Sequence, residues 1–199
     1  MEQALLELLS ARHGHFRLES GYHGGLWLDL DPLFVMPGRI QPFVEAFAER
    51  LKRHDVEAVC GPLVGGAFLA QAAASLLGVE FYYAERFVPL VRDAGTLYPV
   101  EYRIPSGVDR LLRGKAVALV DDAVSAGSAV RGTLATLEAC GAQPVVVGAL
   151  LVLGEKAEQF CRERGLALEY VARLPYEVWL PGACPLCASG LPYEDTGAP

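Results

Sequence analysis

The chain has 199 residues, within the range of one domain, and 52% of them are hydrophobic while 21% are charged. This composition excludes an intrinsically disordered protein, because the chain can bury a substantial core. The formal charge of −7 argues against a nucleic-acid partner, since such proteins present strongly basic surfaces. No apolar run approaches the roughly 20 residues that cross a bilayer, so we expect no membrane partner.

The cysteines and the N-terminus bear on the compartment. Five cysteines, an odd number spread widely along the chain, do not form the pattern of a disulfide framework. Met1-Glu2-Gln3 carries an acidic residue and no basic segment, which argues against a signal peptide. We therefore expect a reduced, soluble, cytoplasmic protein.

Residues 1–36 predict a small appendage ahead of the main domain. Leucines within 2–13 indicate a short helix, which Gly14 would terminate. Residues 15–19 alternate as a strand does, and 26–30 are typical of a return strand after a glycine-rich turn. We expect a helix and a hairpin here, forming a hood on a single domain.

Beyond this appendage, helical and strand patterns alternate. Apolar residues recur at helical spacing from Pro37 to about His54. The strand patterns that follow lie at 56–60, 79–83, 116–120, 144–153 and 166–172. Because strands alternating with helices form parallel sheets, we expect an α/β core over 56–172: an open, mainly parallel sheet with helices on both faces. Residues 86–113 lose the periodicity and predict a flexible loop region, and 173–199 would be a C-terminal tail.

The segment most informative about function follows the apolar strand at 116–120. Asp121 and Asp122 lie at its carboxyl end, which is where ligands bind in open α/β sheets. Small residues come next and lead into a helix: Ser125, Ala126, Gly127, Ser128 and Ala129. Main-chain N–H groups and two hydroxyls at a helix start suit a phosphate monoester, and the glycine lets its oxygens approach closely.

The two carboxylates would repel that phosphate, so we expect them to serve another part of the same ligand. Carboxylates accept hydrogen bonds from vicinal hydroxyls or hold a divalent cation. Together with the small-residue loop they predict a ribose 5-phosphate site. The alternative is a structural helix entry, in which Ser125 or Ser128 caps the following helix.

This block resembles the signature of type I phosphoribosyltransferases, which bind 5-phosphoribosyl 1-diphosphate (PRPP). Among them, the chain is most similar to the orotate phosphoribosyltransferases. The likeness extends to an N-terminal element at 14–23, to a loop at 61–66 with the sequence Gly-Pro-Leu-Val-Gly-Gly, and to a tail segment at 183–192. It therefore covers most of the chain in order.

The resemblance implies transfer of a 5-phosphoribosyl group from PRPP to a nitrogenous base, with release of diphosphate. Asp121 and Asp122 would be catalytic on the ribose side, and 125–129 would bind the 5-phosphate. Mg²⁺ carried with PRPP would be the cofactor, and we expect no metal ion held by the protein itself. The small-molecule substrates would be PRPP and a nucleobase, and the family implies a homodimer whose neighbour completes the site.

The resemblance also assigns the diphosphate to two further segments. Gly65 and Gly66 would bind it through main-chain N–H groups, because a glycine pair lets the backbone approach. Arg86 stands where a family arginine contacts diphosphate and is therefore a catalytic candidate. The family loop often contains a lysine, which 61–66 lacks.

Two segments depart from the family pattern and bear on the base. The catalytic loop of orotate phosphoribosyltransferases is rich in lysine with a His-Gly pair, whereas 87–106 has neither residue type and only Arg92 and Arg103 as cations. The family's Asp-Arg pair, whose arginine binds the orotate carboxylate, is replaced by Gly-Glu-Lys ending at Lys156. Lys156, without the bidentate fork of arginine, and Ser125 are the candidate base contacts.

Three functions therefore stand open at this point. The first is an orotate phosphoribosyltransferase-like enzyme of pyrimidine nucleotide biosynthesis. The second is a purine-type phosphoribosyltransferase. The third is a regulator that binds PRPP without turnover, which the lysine-free segment 87–106 favours. Release of diphosphate in the presence of a base separates the two enzymes from the regulator.

The pair Cys184 and Cys187 has the spacing of half a zinc site. The remaining ligands would have to come from Cys60, Cys140, Cys161, a histidine or a partner chain. We interpret this segment as a compact turn. Among the histidines, neither His13 nor His23 is assigned a role.

Overall fold

A computed structural model describes residues 1–87, 97, 98 and 100–196. Its strands are β1 (Ser10–Arg17), β2 (His23–Asp29), β3 (Ala58–Pro62), β4 (Glu80–Phe87), β5 (Glu101–Arg103), β6 (Ala116–Val124), β7 (Gln143–Leu153), β8 (Ala167–Leu174), β9 (Val178–Trp179) and β10 (Glu194–Asp195). Its helices are α1 (Glu2–Leu6), α2 (Pro32–Val35), α3 (Pro37–Leu51), α4 (Gly65–Leu77), α5 (Ser128–Ala139), α6 (Lys156–Glu163) and α7 (Pro185–Ala188). Among these described helices, none has both the length and the apolar character needed to span a membrane.

The larger sheet has six strands in the order β5-β4-β3-β6-β7-β8. Its neighbours pair in parallel except β5, which runs antiparallel to β4 at the edge. The α/β class and the mainly parallel sheet are thus confirmed. The sequence did not predict β5, because its three residues lie within the aperiodic segment 86–113 and pair through a long-range contact. Residues 88–96 and 99 of the predicted loop lie outside the described residues.

Helices cover both faces of this sheet, as predicted. Along β6, Ala118 and Val120 pack into the core cluster that contains residues of α3 and α4. The alternate residues Val117 and Leu119 pack into a second cluster with residues of α5 and α6. Successive strand side chains point to opposite faces, so a strand buried on both sides must be apolar at every position. This explains the uninterrupted apolar run ahead of the two aspartates.

The smaller sheet joins the two ends of the chain. Its four strands follow the order β10-β1-β2-β9, with β9 antiparallel to β2 and β10 parallel to β1. We name these four strands, together with residues 18–22 and α7, the hood. The predicted N-terminal appendage and C-terminal tail are therefore parts of one unit, while the proposed division of the chain at 36, 56 and 172 stays a prediction.

The N-terminal helix is shorter than its leucine pattern suggests. The helix was predicted over 2–13, but α1 ends at Leu6 and β1 begins at Ser10. Ser10 to His13 pair with residues Asp29 to Leu26 of β2. This pairing outweighs the local helical pattern, because tertiary hydrogen bonding overrides a weak propensity.

Candidate active site

The site lies where the order of strands reverses. From β3 the chain first continues to β4 on one side, and then to β6 on the other side. Loops that leave the carboxyl ends of β3 and β6 therefore border one crevice, the usual ligand position in such sheets. A cavity of about 330 Å³ opens here, lined by the segment 121–129 of the core and by hood residues that include Glu19 and Trp27. The sheet topology thus brings the predicted phosphate loop under the hood.

The acid pair lies in this cavity. Asp121 is 8% exposed, and its Oδ1 accepts a hydrogen bond of 3.0 Å from the main-chain N–H of Asp122. Asp122 is half-buried, and its Oδ1 accepts a bond of 2.7 Å from the N–H of Ala123. Burial raises the pKa of Asp121 well above its usual range, and the Asp122 carboxyl raises it further. Burial also raises the pKa of Asp122.

The glycine pair after β3 packs directly against these carboxyl groups. A Cβ on Gly65 would lie 2.0 Å from Oδ2 of Asp122, and one on Gly66 would lie 2.6 Å from Oδ1 of Asp121. Any larger residue would displace a carboxyl group, since both distances are shorter than van der Waals contact allows. The predicted diphosphate loop and the predicted ribose-binding acids are therefore brought together.

The loop after β6 keeps its polar groups available. Main-chain N–H groups of 125–127 donate no hydrogen bond to any residue that the structure describes. Gly127 has a φ of +79° and is the N-cap of α5, without a side-chain capping bond. The alternative in which Ser125 or Ser128 caps this helix is therefore wrong. Their buried hydroxyl oxygens find no partner among the described residues, at a cost of about 1–3 kcal/mol for each unsatisfied group.

Arg86 lies at the end of β4 and is tied to the hood. Its Nε donates a hydrogen bond of 2.9 Å to Oε2 of Glu19, and the hydroxyl of Tyr102 donates one of 3.1 Å to Oε1 of the same carboxylate. Burial raises the pKa of Tyr102, and nearby Glu19 adds to this, so the hydroxyl stays a donor. The role of Arg86 toward diphosphate stays a prediction, and would require exchange of one anion for another.

Sequence reasoning missed Glu19 and Tyr102. Glu19 belongs to the N-terminal element 14–23 that carries the family likeness, which was the available signal. Tyr102 lies in β5, within a segment whose lack of periodicity gave no signal. Both line the cavity.

The two candidate base contacts are not brought together. Ser125 lines the cavity, whereas Lys156 lines an adjoining pocket, with Leu153 and Tyr176 bordering both. The Lys156 Nζ lies 4.6 Å from the centre of the Tyr22 ring, a cation–π contact. Its role toward a base stays a prediction.

Of the two predicted loop cations, Arg92 and Arg103, the structure describes Arg103. Arg92 lies outside the described residues. Arg103 forms an ion pair with Glu101 at 3.1 Å, and its guanidinium lies 3.5 Å from the centre of the Phe87 ring. The part of 87–106 that the structure describes therefore directs no cation into the cavity.

Comparison with known proteins relates the whole chain to one group of enzymes. An orotate phosphoribosyltransferase of Thermotoga maritima is 31% identical over 205 aligned positions, covering 100% of this chain and 98% of that protein. The solved structure of an orotate phosphoribosyltransferase from Aeropyrum pernix superposes with a TM-score of 0.61 at 23% identity, covering 82% of this chain and 88% of its own. A Trypanosoma brucei adenine phosphoribosyltransferase, solved with AMP, pyrophosphate and ribose-5-phosphate, gives 0.66 at 16% identity over 86% of this chain and 78% of its own. No protein-family model matches the chain.

Replacing Asp121 by Asn should stabilise the ligand-free protein at neutral pH. Because the folded-state pKa is raised, the native state loses stability as the pH rises above the unfolded-state value of about 3.9. Asp121→Asn removes this loss, so urea unfolding should show a higher unfolding free energy at pH 7. The advantage should shrink as the pH falls toward about 4.

The matched control is Asp29→Asn, which changes an exposed carboxylate on β2. Its unfolding free energy should stay within about 0.5 kcal/mol of the unmodified protein at both pH values. An Asp121→Asn protein that is less stable than the unmodified one at pH 7 would show that the ionised carboxylate is a structural support.

Proposed function

The chain belongs to the orotate phosphoribosyltransferase family, and from this premise we propose that it transfers the 5-phosphoribosyl group of PRPP to orotate. The observation that carries the proposal is that Asp121 and Asp122 line one cavity with a loop whose two buried hydroxyls and main-chain N–H groups have no hydrogen-bond partner among the described residues. A sugar phosphate satisfies both halves, because its hydroxyls donate to carboxylates and its phosphate accepts from the loop.

The reaction forms a bond from a ring nitrogen of the base to the anomeric carbon and breaks the bond from that carbon to diphosphate. Both electrons of the broken bond leave with the diphosphate, and the ribose gains oxocarbenium character, as in glycoside chemistry. The carboxylates of Asp121 and Asp122 would hold the ribose and lie close to the developing positive charge. Residues 125–129 would fix the 5-phosphate, so that the anomeric carbon is positioned for attack.

We propose that Mg²⁺ accompanies PRPP. The residues present suit it, because the carboxyl oxygens of Asp121 and Asp122 are the hard ligands that this ion prefers, and its charge would offset the burial that raises their pKa values. When bound, it supplies positive charge to the diphosphate and to the ribose side. Glu19 adds a third carboxylate to the cavity wall, so a polyanionic substrate would otherwise meet unfavourable charge.

Arg86 would complete the binding of the leaving group. Its guanidinium is paired with Glu19, which lies on the hood. A diphosphate bound at Gly65 and Gly66 offers a denser negative charge than one carboxylate, and arginine binds such groups with paired N–H donors. Exchange of Glu19 for diphosphate would place positive charge where charge develops as the bond breaks.

We also propose a homodimer that acts in the cytoplasm. Apolar side chains are exposed beside the glycine pair, among them Val64 at 59% and Phe68 at 49%. The Phe34 and Phe68 rings lie 5.5 Å apart, so this surface continues from α4 to α2, where Val35 is 77% exposed. Such a patch at the rim of the site suits contact with a second copy. All five cysteines are unpaired, which fits a reducing compartment.

A base panel tests the proposed activity. Protein, Mg²⁺ and PRPP are incubated with orotate, uracil, adenine, guanine, hypoxanthine or xanthine, and diphosphate release is measured. We expect release with orotate. Release with a purine alone would assign the purine-type alternative, and calorimetric binding of PRPP without turnover on any base would assign the regulator.

Removal of one loop hydroxyl tests the phosphate site. Ser128→Ala should raise the KM for PRPP about 10–100-fold, because a hydrogen bond to a charged group contributes about 1.5–3 kcal/mol. Its unfolding free energy should not fall, since the hydroxyl has no partner among the described residues. Ser75→Ala, on the exposed face of α4, is the matched control and should leave the KM unchanged. An unchanged KM in Ser128→Ala would remove this loop from the phosphate site.

A charge placed on the apolar surface tests the homodimer. Phe68→Asp should shift the sedimentation of the protein from dimer to monomer, because a carboxylate would be buried between the two copies. Leu111→Asp, at a residue that is 54% exposed and distant in sequence from this surface, should stay dimeric. Sedimentation of the unmodified protein as a monomer at micromolar concentration would contradict the proposal.

A further inference from the structure

Two histidines and two cysteines meet at the hood, outside the cavity already described. His15 lies on β1 and His23 begins β2, while Cys184 directly precedes α7 and Cys187 lies within it. One ligand atom from each residue lies within 4.8 Å of the other three. In the sequence His15 and Cys184 are 169 positions apart, so only the fold unites them.

The separations between these atoms suit a tetrahedral metal centre. His15 Nε2 lies 2.9 Å from His23 Nδ1 and 3.4 Å from Cys184 Sγ. Cys187 Sγ lies 3.7 Å from His15 Nε2 and 3.3 Å from His23 Nδ1. Zinc–nitrogen and zinc–sulfur bonds of about 2.0–2.3 Å give tetrahedron edges of about 3.3–3.8 Å, so small shifts would complete the geometry.

One histidine is already oriented as a ligand. His15 Nδ1 lies 2.7 Å from the main-chain oxygen of Leu191, so that this nitrogen carries the proton and donates it to the carbonyl. The lone pair of Nε2 then faces the cluster. A hydrogen bond of this kind from the second ring nitrogen is a regular feature of metal-binding histidines.

Burial and charge favour an ion over a cluster of free side chains. His15, His23 and Cys184 are each 3–4% exposed, and Cys187 closes the outer side. Two neutral imidazoles and two thiolates carry a charge of −2, which a divalent cation neutralises. Mixed nitrogen and sulfur ligands with tetrahedral spacing select zinc, whereas magnesium and calcium require oxygen ligands.

We propose that His15, His23, Cys184 and Cys187 bind a structural Zn²⁺ ion that fastens the C-terminal tail to the N-terminal hairpin. The segment of Cys184 and Cys187, interpreted from the sequence as a compact turn, would then supply two of the four ligands, and the two histidines would supply the others. The tail also contacts this hairpin through β9 and β10, of two residues each, and through the exposed ion pair of Arg12 with Glu194. A buried metal centre would add a stronger link, because exposed ion pairs contribute little stability. Zinc sites of this type contribute folding free energy directly.

Metal content of the purified protein tests the site. Protein prepared in a phosphine reductant, incubated with zinc chloride and desalted, should retain one zinc per chain by elemental analysis. Cys187→Ser, a mild change at an exposed residue, should retain much less than one. Cys140→Ser is the matched control at a cysteine remote from the cluster in sequence, and should retain one.

Two further measurements test the site in the unmodified protein, so they do not depend on whether a variant folds. Cobalt chloride in place of zinc should give the intense visible absorption of tetrahedral thiolate-bound cobalt in the unmodified protein and in Cys140→Ser. Removal of zinc by a chelator should lower the Tm of the unmodified protein, and zinc chloride should restore it. Neither measurement uses phosphoribosyl transfer, so the zinc site and the transferase activity can fail independently.

Absence of retained zinc in the unmodified protein would overturn the proposal. The four side chains would then form a hydrogen-bonded cluster in which the two imidazoles share a proton across 2.9 Å. Retention that is equal in Cys187→Ser and the unmodified protein would place the ion elsewhere, and would overturn it as well.

Discussion

The contact of the Asp121 and Asp122 carboxyl groups with a glycine pair governs the construction of this protein's site. β3 and β6 are neighbours in the sheet, and the loops that leave them must share one crevice. The carboxyl groups of Asp121 and Asp122 lie against the loop that leaves β3, so that loop has room only for Gly65 and Gly66 at these positions. Burial raises the pKa of both acids, so a cation or hydroxyl donors beside them would favour their ionised forms. This crevice therefore suits a ligand that brings a cation or hydroxyl donors to the acids.

Two kinds of polar group line the cavity, and together they indicate the chemistry of the ligand that suits it. On one side lie carboxylates, which need cations or hydroxyl donors; on the other lie Ser125, Ser128 and main-chain N–H groups, which need an anion. A metal ion alone satisfies only the acids, and a free phosphate satisfies only the loop. A phosphorylated sugar with vicinal hydroxyls satisfies both from one molecule, which is why family membership and local chemistry agree.

The sequence predicted the parts of this site that are contiguous in the chain. An apolar strand, two acids and small residues before a helix form one block, and the structure keeps the block in order. Contacts between distant segments could not be predicted in this way. Three such contacts join segments that are far apart in the sequence, so they depend on the tertiary fold. They are the pairing of Arg86 with Glu19, the cation–π contact of Lys156 with Tyr22, and the antiparallel pairing of β5 with β4.

The dependence on contacts between distant segments also explains what the sequence did not predict at the two ends of the chain. The leucine pattern over 2–13 fits a helix locally, and only the pairing of β1 with β2 decides against it beyond Leu6. The Cys184–Cys187 spacing likewise revealed half of a cluster, since nothing in a linear pattern connects it with His15 and His23. Sequence periodicity is informative where neighbours in the chain are neighbours in space, and the hood is assembled from its two ends.

The hairpin of the hood contacts both the core and the C-terminal tail. Glu19 leaves the hairpin and contacts Arg86 and Tyr102 of the core, while His15 and His23 of the same hairpin face the tail. The hairpin is thus attached to β4 and β5 of the large sheet through Glu19, and to the C-terminal segment through the two histidines. If diphosphate replaces Glu19 as the partner of Arg86, the hydrogen bond from Tyr102 to Glu19 and the contact of Lys156 with Tyr22 still join the hairpin to the core. The hairpin therefore stays attached to both the core and the tail when one partner of Arg86 is exchanged for another.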